Sequence, residues 1–211
     1  MILGIDEAGK GPVIGPLIVC GVCCDEDVSK RLEEIGVKDS KKLSREKREE
    51  LAEIIKQLCD VKIVKVDVDD LNDLMSKMTI NEILRKAYVD IIRHFKPRIA
   101  YIDCPEPDVE RFADKLSEMT GVEVVASHKA DELYPVVSSA SIVAKVERDR
   151  EIDKLKEIYG DFGSGYPADR KTIEFLRRYL KENGRFPPIV RKKWKTLIRV
   201  SNQTLSEFFE L

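Results

Sequence analysis

Long apolar runs are missing from this 211-residue sequence, and none approaches the roughly 18 residues of a membrane-spanning helix. A basic stretch ahead of the apolar start is missing too, so no secretory signal is expected and the chain reads as cytoplasmic. There is no internal repeat, low-complexity tract or long linker, which excludes arrays and solenoids. No second cysteine pair and no histidine pair accompanies Cys20-x-x-Cys23, so neither a zinc site nor a redox motif is completed. The five cysteines (Cys20, Cys23, Cys24, Cys59 and Cys104) are an odd number set within apolar segments. They fit buried thiols in a reducing compartment rather than a disulfide framework.

What is present is a globular balance of 43% hydrophobic and 36% charged residues, enough for one sizeable domain with a small appendage. The net charge of −2 hides an asymmetry: residues 170–199 hold eleven Lys/Arg against Glu174 and Glu182, a balance of +9, and the remainder carries −11. A basic segment on an acidic body suits a protein that neutralises phosphates. A charge-rich solvated helical surface has the same composition, so charge alone does not decide.

Ile2–Ile5 and Val13–Cys24 read as two strands joined by the glycine-rich turn Asp6-Glu7-Ala8-Gly9-Lys10-Gly11-Pro12. Ser44 is placed to cap a helix with Leu51, Ile54, Ile55 and Leu58 on its apolar face. Val61–Val66 is a third strand, and Thr79 with Glu82 forms a capping box opening a helix with Ile83, Ala87, Ile91 and Phe95 on one face. Arg98–Ile102 is a fourth strand ending at Asp103. A helix from near Pro107 turns Val109, Phe112, Leu116 and Met119 inward and stops at Gly121, and Val122–Ala126 is a fifth strand. A long helix over Pro135–Tyr159 begins with small residues that permit close approach to a sheet. Asp169 caps a basic helix ending near Gly184, and Pro187-Pro188 introduces a last one. Strands alternating with helices, then helices alone, give an α/β domain with a helical extension.

Acidic residues fall just beyond the strand ends: Asp6 and Glu7 after the first, Asp103 after the fourth and Asp131 shortly after the fifth. Ligand sites of open α/β sheets gather there. Four converging carboxylates resist joint ionisation, a cost that two hard divalent cations reverse, and paired ions of this kind hydrolyse phosphodiesters. An acid after a strand also begins turns and caps helices, and for Asp103 or Asp131 taken singly that explanation stands beside the functional one. Two adjacent charges between apolar strands, however, are not needed for a turn. Gly4-x-x-x-x-Gly9-Lys10 begins like a phosphate-binding NTPase loop, but Gly11 stands where Ser or Thr is needed and an apolar strand follows where a helix should. A loop without side-chain bulk still lets its backbone approach a ligand, and Lys10 adds positive charge.

Six segments occur in an order that resembles the ribonuclease HII family, the type 2 ribonucleases H, in its archaeal form. They are Asp6 to Pro12, Lys38-Asp39-Ser40-Lys41-Lys42-Leu43, Tyr101-Ile102-Asp103, His128-Lys129-Ala130-Asp131, Ala140 to Asp149, and Gly163-Ser164-Gly165-Tyr166-Pro167. The resemblance implies an RNase H-like fold: a mixed five-stranded sheet flanked by helices, with a C-terminal helical extension. The implied organisation is a catalytic domain over residues 1–160, a basic helical region beside the cleft over 161–200 and a tail over 201–211. It implies hydrolysis of the RNA strand of RNA–DNA hybrids and cleavage 5′ to single ribonucleotides in duplex DNA, leaving 3′-hydroxyl and 5′-phosphate ends.

Carried over by position, Asp6, Glu7, Asp103 and Asp131 are the catalytic carboxylates and hold two Mg²⁺ or Mn²⁺ ions. Gly9, Lys10, Gly11 and Tyr166 recognise the ribonucleotide, where the 2′-hydroxyl separates RNA from DNA. Lys41 and Lys42 contact backbone phosphates, and the basic segment with Trp194 grips the duplex. The type 3 relatives carry an extra N-terminal domain and usually a Glu as fourth acid. A first acid at position 6 and Asp131 as the fourth favour type 2. No role as a base is assigned to His128. A DNA-directed nuclease or recombinase of the same fold group is the alternative, and it would need no 2′-hydroxyl sensor. The tail from Asn202 to Phe209 resembles a sliding-clamp-binding peptide through Leu205, Phe208 and Phe209, with Asn202 where Gln is usual. A monomer without membrane attachment is expected.

Overall fold

Five apolar segments pair into one mixed sheet in the order β3-β2-β1-β4-β5, with β1 (Ile2–Ala8), β2 (Leu17–Cys24), β3 (Asp60–Val66), β4 (Ile99–Asp103) and β5 (Glu123–Ser127). The computed structural model describes residues 1–38 and 43–209, with side chains described as far as 202. β1 runs antiparallel to β2, Asp6 opposite Cys20, and parallel to β4, Ile5 opposite Ile102. β4 runs parallel to β5, Asp103 opposite Ser127. β2 is buried along its whole length, whereas the edge strand β3 shows a polar, partly exposed pattern. Charge and exposure on an edge strand discourage pairing with a further chain.

The chain forms two compact units. The first comprises residues 1–8, 18–65 and 79–148, and the second 9–17, 66–78 and 149 onward. In the first, α4 (Ile80–Phe95) opens with the expected capping box: Thr79 accepts from the Glu82 N–H, and Glu82 accepts from the Thr79 N–H at 2.7 Å. α2 (Arg45–Leu58) is capped by Ser44, and α5 (Val109–Thr120) by Asp108, with Gly121 in the left-handed conformation at its end. α7 (Pro135–Tyr159) starts with buried Ser138, Ser139, Ala140, Ser141 and Ala144. Its backbone comes so close to β1 that a Cβ on Gly4 would lie 2.2 Å from the Val136 carbonyl carbon.

Two short helices, α1 (Glu26–Glu34) and α3 (Val68–Met75), have no counterpart in the sequence reading. Each buries a single leucine, Leu32 or Leu71, so neither shows an apolar period. Ile54 and Met119, expected to face inward, are exposed, and Ala52 takes the buried position in α2. A helix resting on one neighbour buries a narrower stripe than its apolar residues suggest. All five cysteines are free thiols, four of them buried.

The second unit closes around Val13, Ile14, Phe162, Phe175, Leu176, Val190, Leu197 and Val200. α8 (Arg170–Asn183) begins at Asp169, which accepts from the Lys171 N–H at 2.9 Å, and ends at Gly184. α9 (Lys195–Phe209) follows, while α6 (Ala130–Leu133) is a single turn in the first unit. Among the described residues no helix is long and apolar enough to cross a membrane.

Candidate active site

Side chains alternate along a strand, so the adjacent acids at the end of β1 leave the sheet on opposite faces. Asp6 shares the parity of Gly4 and so faces α7, where Ser141 is its neighbour. Glu7 faces α4, whose Tyr88 donates its hydroxyl to Glu7 Oε2 at 2.7 Å. The Asp6 carboxylate also accepts the Glu7 N–H at 2.7 Å. The pairing of Ile5 with Ile102, continued by one residue, brings Asp103 beside Asp6.

Asp103 Oδ1 accepts the Ala130 N–H at 3.1 Å, which ties β4 to the first turn of α6. Asp131 is the next residue and is buried. Lys129, left-handed at φ 58°, makes the turn that presents this N–H. His128 sits with Nδ1 3.3 Å from the Cys104 carbonyl oxygen.

The electrostatics follow from burial. The Asp6 carboxyl is pushed well above the ordinary range, first by loss of water, then by the charge of Glu7 and further by Asp103. The Tyr88 hydroxyl is raised by burial and then by the Glu7 charge, so it stays a donor to Glu7. Among the described residues no three His, Cys, Asp or Glu side chains already form a group that could hold a metal ion. The donor chemistry nevertheless fits one: Asp6, Glu7, Asp103 and Asp131 offer only carboxylate oxygens, the ligands of hard divalent cations. A buried carboxylate beside two others is also a place where a cation relieves an unfavourable charge.

In the second unit Gly9, at φ 91°, turns the chain out of β1, and Gly11 is exposed. A Cβ on Gly11 would sit 3.5 Å from the Tyr166 ring, so this ring flanks the loop. The Val13 N–H donates to the Gly165 carbonyl at 2.8 Å, joining the segment before β2 to the one carrying Tyr166. Tyr166 is 43% exposed, with its turn held by Ser164 donating to Asp169 and by the Gly165 N–H donating to Thr172 Oγ1 at 3.0 Å.

The basic segment is not uniformly a surface. Arg191 is fully buried. Arg170 pairs with Glu174 at 2.6 Å and Lys171 with Asp161, while Lys192, Lys193 and Lys195 are exposed. Trp194, expected to face the duplex, donates its indole N–H to the Gly11 carbonyl at 2.9 Å. Lys41 and Lys42 lie outside the described residues, and Leu205, Phe208 and Phe209 lie on α9 with side chains outside them.

Tyr88 and Arg191 are the residues that sequence reasoning missed. Tyr88 sits on the apolar face of a regular helix and gives no sign of its partner. Arg191 ends the run Pro187-Pro188-Ile189-Val190, and that apolar lead-in is a hint of burial.

The family model described as ribonuclease HII matches residues 3–197. A protein named ribonuclease HII from Archaeoglobus fulgidus is 54% identical over 209 residues, covering 99% of this chain and 100% of that one. Among solved structures, the PCNA:RNase HII complex from Archaeoglobus fulgidus aligns with TM-score 0.92 at 53% identity, covering 98% of this chain and 100% of that chain. The ribonuclease H2 of Pyrococcus horikoshii aligns with TM-score 0.90 at 41% identity, covering 97% and 98%.

Proposed function

This chain belongs to the ribonuclease HII family, hydrolases of the ribonuclease H kind with an RNase H-like fold, and on that premise we propose how it selects and cuts its substrate. It hydrolyses the RNA strand of RNA–DNA hybrids and cuts 5′ to single ribonucleotides embedded in duplex DNA, leaving 3′-hydroxyl and 5′-phosphate ends. The observation that carries this reading is that the parallel pairing of β1 with β4, which ends at Ile5 opposite Ile102, leads directly into Asp6 and Asp103, with Glu7 next to Asp6 and Asp131 next to the Ala130 whose N–H Asp103 accepts.

Asp6, Glu7, Asp103 and Asp131 hold two Mg²⁺ or Mn²⁺ ions. When bound, the ions supply acidity to the attacking water and positive charge to the leaving oxygen. Tyr88 fixes the Glu7 carboxylate and the Ala130 N–H fixes that of Asp103, so each ligand keeps one oxygen oriented. The Gly9-Lys10-Gly11 backbone and Tyr166 recognise the ribose carrying the 2′-hydroxyl. Lys41, Lys42 and the exposed lysines after Arg191 contact phosphates and position the duplex without reading sequence.

The test is cleavage of a duplex with one embedded ribonucleotide, with and without divalent metal, mapping the cut bond. Metal-dependent cleavage on the 5′ side of the ribonucleotide is expected, and equal cutting of an all-DNA duplex would favour the DNA-directed alternative. Asp103→Asn is expected to lower kcat at least a hundredfold, as loss of several kcal/mol of charge stabilisation requires, while hybrid binding persists. Near-normal turnover would remove Asp103 from the mechanism.

The Archaeoglobus fulgidus relative was solved in complex with PCNA. By that likeness, Leu205, Phe208 and Phe209 dock this chain on a sliding clamp. Deleting residues 202–211 should abolish clamp affinity while leaving hydrolysis of short substrates intact.

A further inference from the structure

Arg191 is an arginine with no exposed surface, and it is the one charged side chain among the described buried residues of the second unit. Its Nε donates to the Gly15 carbonyl at 2.9 Å, Nη2 to that of Pro16 at 2.9 Å and Nη1 to that of Lys10 at 3.2 Å. The Arg191 backbone N–H donates to the Val13 carbonyl at 2.9 Å. The guanidinium lies over the Trp194 ring, 5.0 Å from its centroid, and the indole N–H reaches the Gly11 carbonyl. Burying a guanidinium is costly unless its donors are satisfied, and apolar residues of similar volume often serve stability as well. Here each nitrogen of the guanidinium donates to a backbone carbonyl, and two successive loop carbonyls, of Lys10 and Gly11, are held by Arg191 and Trp194.

The consequence lies in peptide geometry. In a planar trans peptide the N–H points opposite to the C=O. With the Lys10 carbonyl turned to Arg191, the Gly11 N–H is turned away from it. Pro12 follows, so the next peptide has no N–H and presents only the carbonyl that Trp194 engages. The loop therefore has two carbonyls engaged by Arg191 and Trp194 and one donor turned away from Arg191, the N–H of exposed Gly11 beside the Tyr166 ring.

We propose that Arg191 and Trp194 are positioning residues that fix the Lys10–Gly11 peptide so that the Gly11 N–H donates to the 2′-oxygen of the ribose. This rests on the assignment of the Gly9–Gly11 loop to ribonucleotide recognition. A long hybrid offers a 2′-hydroxyl at every register and many phosphate contacts, whereas an embedded ribonucleotide offers one. The positioning device accordingly matters most for the embedded substrate.

The experiment compares the full-length wild type with Trp194→Phe, Arg191→Lys and, as control, Ile189→Val in the same apolar cluster. Values of kcat and KM are measured on a duplex with one ribonucleotide and on a continuous hybrid, with melting temperatures alongside. Trp194→Phe removes the indole N–H together with part of the ring and keeps an aromatic ring beside the buried charge, so with the melting temperatures alongside it carries the test whether or not Arg191→Lys folds. Its kcat on the embedded ribonucleotide should fall about tenfold, the worth of one well-placed hydrogen bond, with KM little changed and the hybrid far less affected. Ile189→Val should leave the ratio between substrates unchanged. Equal losses on both substrates, or none, would overturn the positioning role. A wild type that leaves the embedded ribonucleotide uncut would overturn the recognition assignment itself, a result separable from the other two.

Discussion

Tyr88 illustrates how a residue of ordinary appearance reaches the candidate site. Its ring packs edge-on against Phe112, with centroids 5.9 Å apart, and its hydroxyl reaches across to Glu7. Replacing it with Phe keeps the packing and removes the one donor. Tyr88→Phe should therefore melt close to the wild type, yet need more divalent metal for half-maximal cleavage and lose about tenfold in activity, the usual cost of losing a hydrogen bond that orients a metal ligand. A metal titration of cleavage checks this, and an unchanged titration would reduce Tyr88 to a core residue. Arg191 makes the complementary point: counted among eleven cations of a basic segment, it spends its charge on internal carbonyls.

At the scale of elements, the legible features were those written in local chemistry. The capping box at Thr79 and Glu82, the Ser44 and Asp169 caps and the stops at Gly121 and Gly184 depend on residues a few positions apart, so the sequence displays them directly. α1 and α3 were hidden because each buries a single leucine and so shows no apolar period, and Ile54 and Met119, apolar at helical spacing, are exposed all the same.

The contact between β1 and α7 was only half visible. Small residues announced a close approach, but the partner, Gly4, is 132 positions from Val136 in the chain and stands where the Val136 and Val137 backbones leave no room for a Cβ. Since the obstructing atoms are backbone, Gly4→Ala should cost about 3 kcal/mol or more, read as a lowered denaturant midpoint. A change below roughly 1 kcal/mol would mean that the helix can retreat. In the second unit Asp161 joins the end of α7 to the start of α8 by pairing with Lys156 at 3.3 Å and with Lys171, and by accepting the Gly163 N–H. These partners, Lys171 first, hold its carboxyl well below the ordinary 3.8. A carboxyl depressed in the folded state stabilises above its unfolded value and loses that effect as acid protonates it. Asp161→Asn should thus melt lower than the wild type at pH 7, with the difference shrinking as the pH falls below about 4. A difference constant from pH 7 to pH 2 would contradict the ion-pair origin.

For the whole molecule the uneven charge matters most. Substrate affinity should weaken with salt because bound phosphates release counterions. KM for a hybrid should rise on a log–log plot against salt with a slope well short of roughly +10, the value that corresponds to eleven phosphate contacts, since Arg191 is buried and Arg170 and Lys171 are engaged with carboxylates. A slope at that full value would mean that these pairs break on binding.

By itself the sequence determined the apolar centre of each strand, where the capped helices begin and end, and that acidic residues gather at three strand ends, although Asp6 and Glu7 stand within β1 and Asp103 is the last residue of β4 rather than beyond them. Each of these depends on alternation, caps and spacing along a short stretch of chain. Only the tertiary structure decided that Asp6 and Glu7 take opposite faces with Ser141 and Tyr88 as neighbours, that Asp103 is steadied by the Ala130 N–H, and that Arg191 serves the Lys10 carbonyl rather than solvent. Those partners lie 27 to 181 positions apart in the hydrogen bonds that join them. Hydrogen bonding over such separations is fixed by sheet order and helix packing, and no local pattern encodes it.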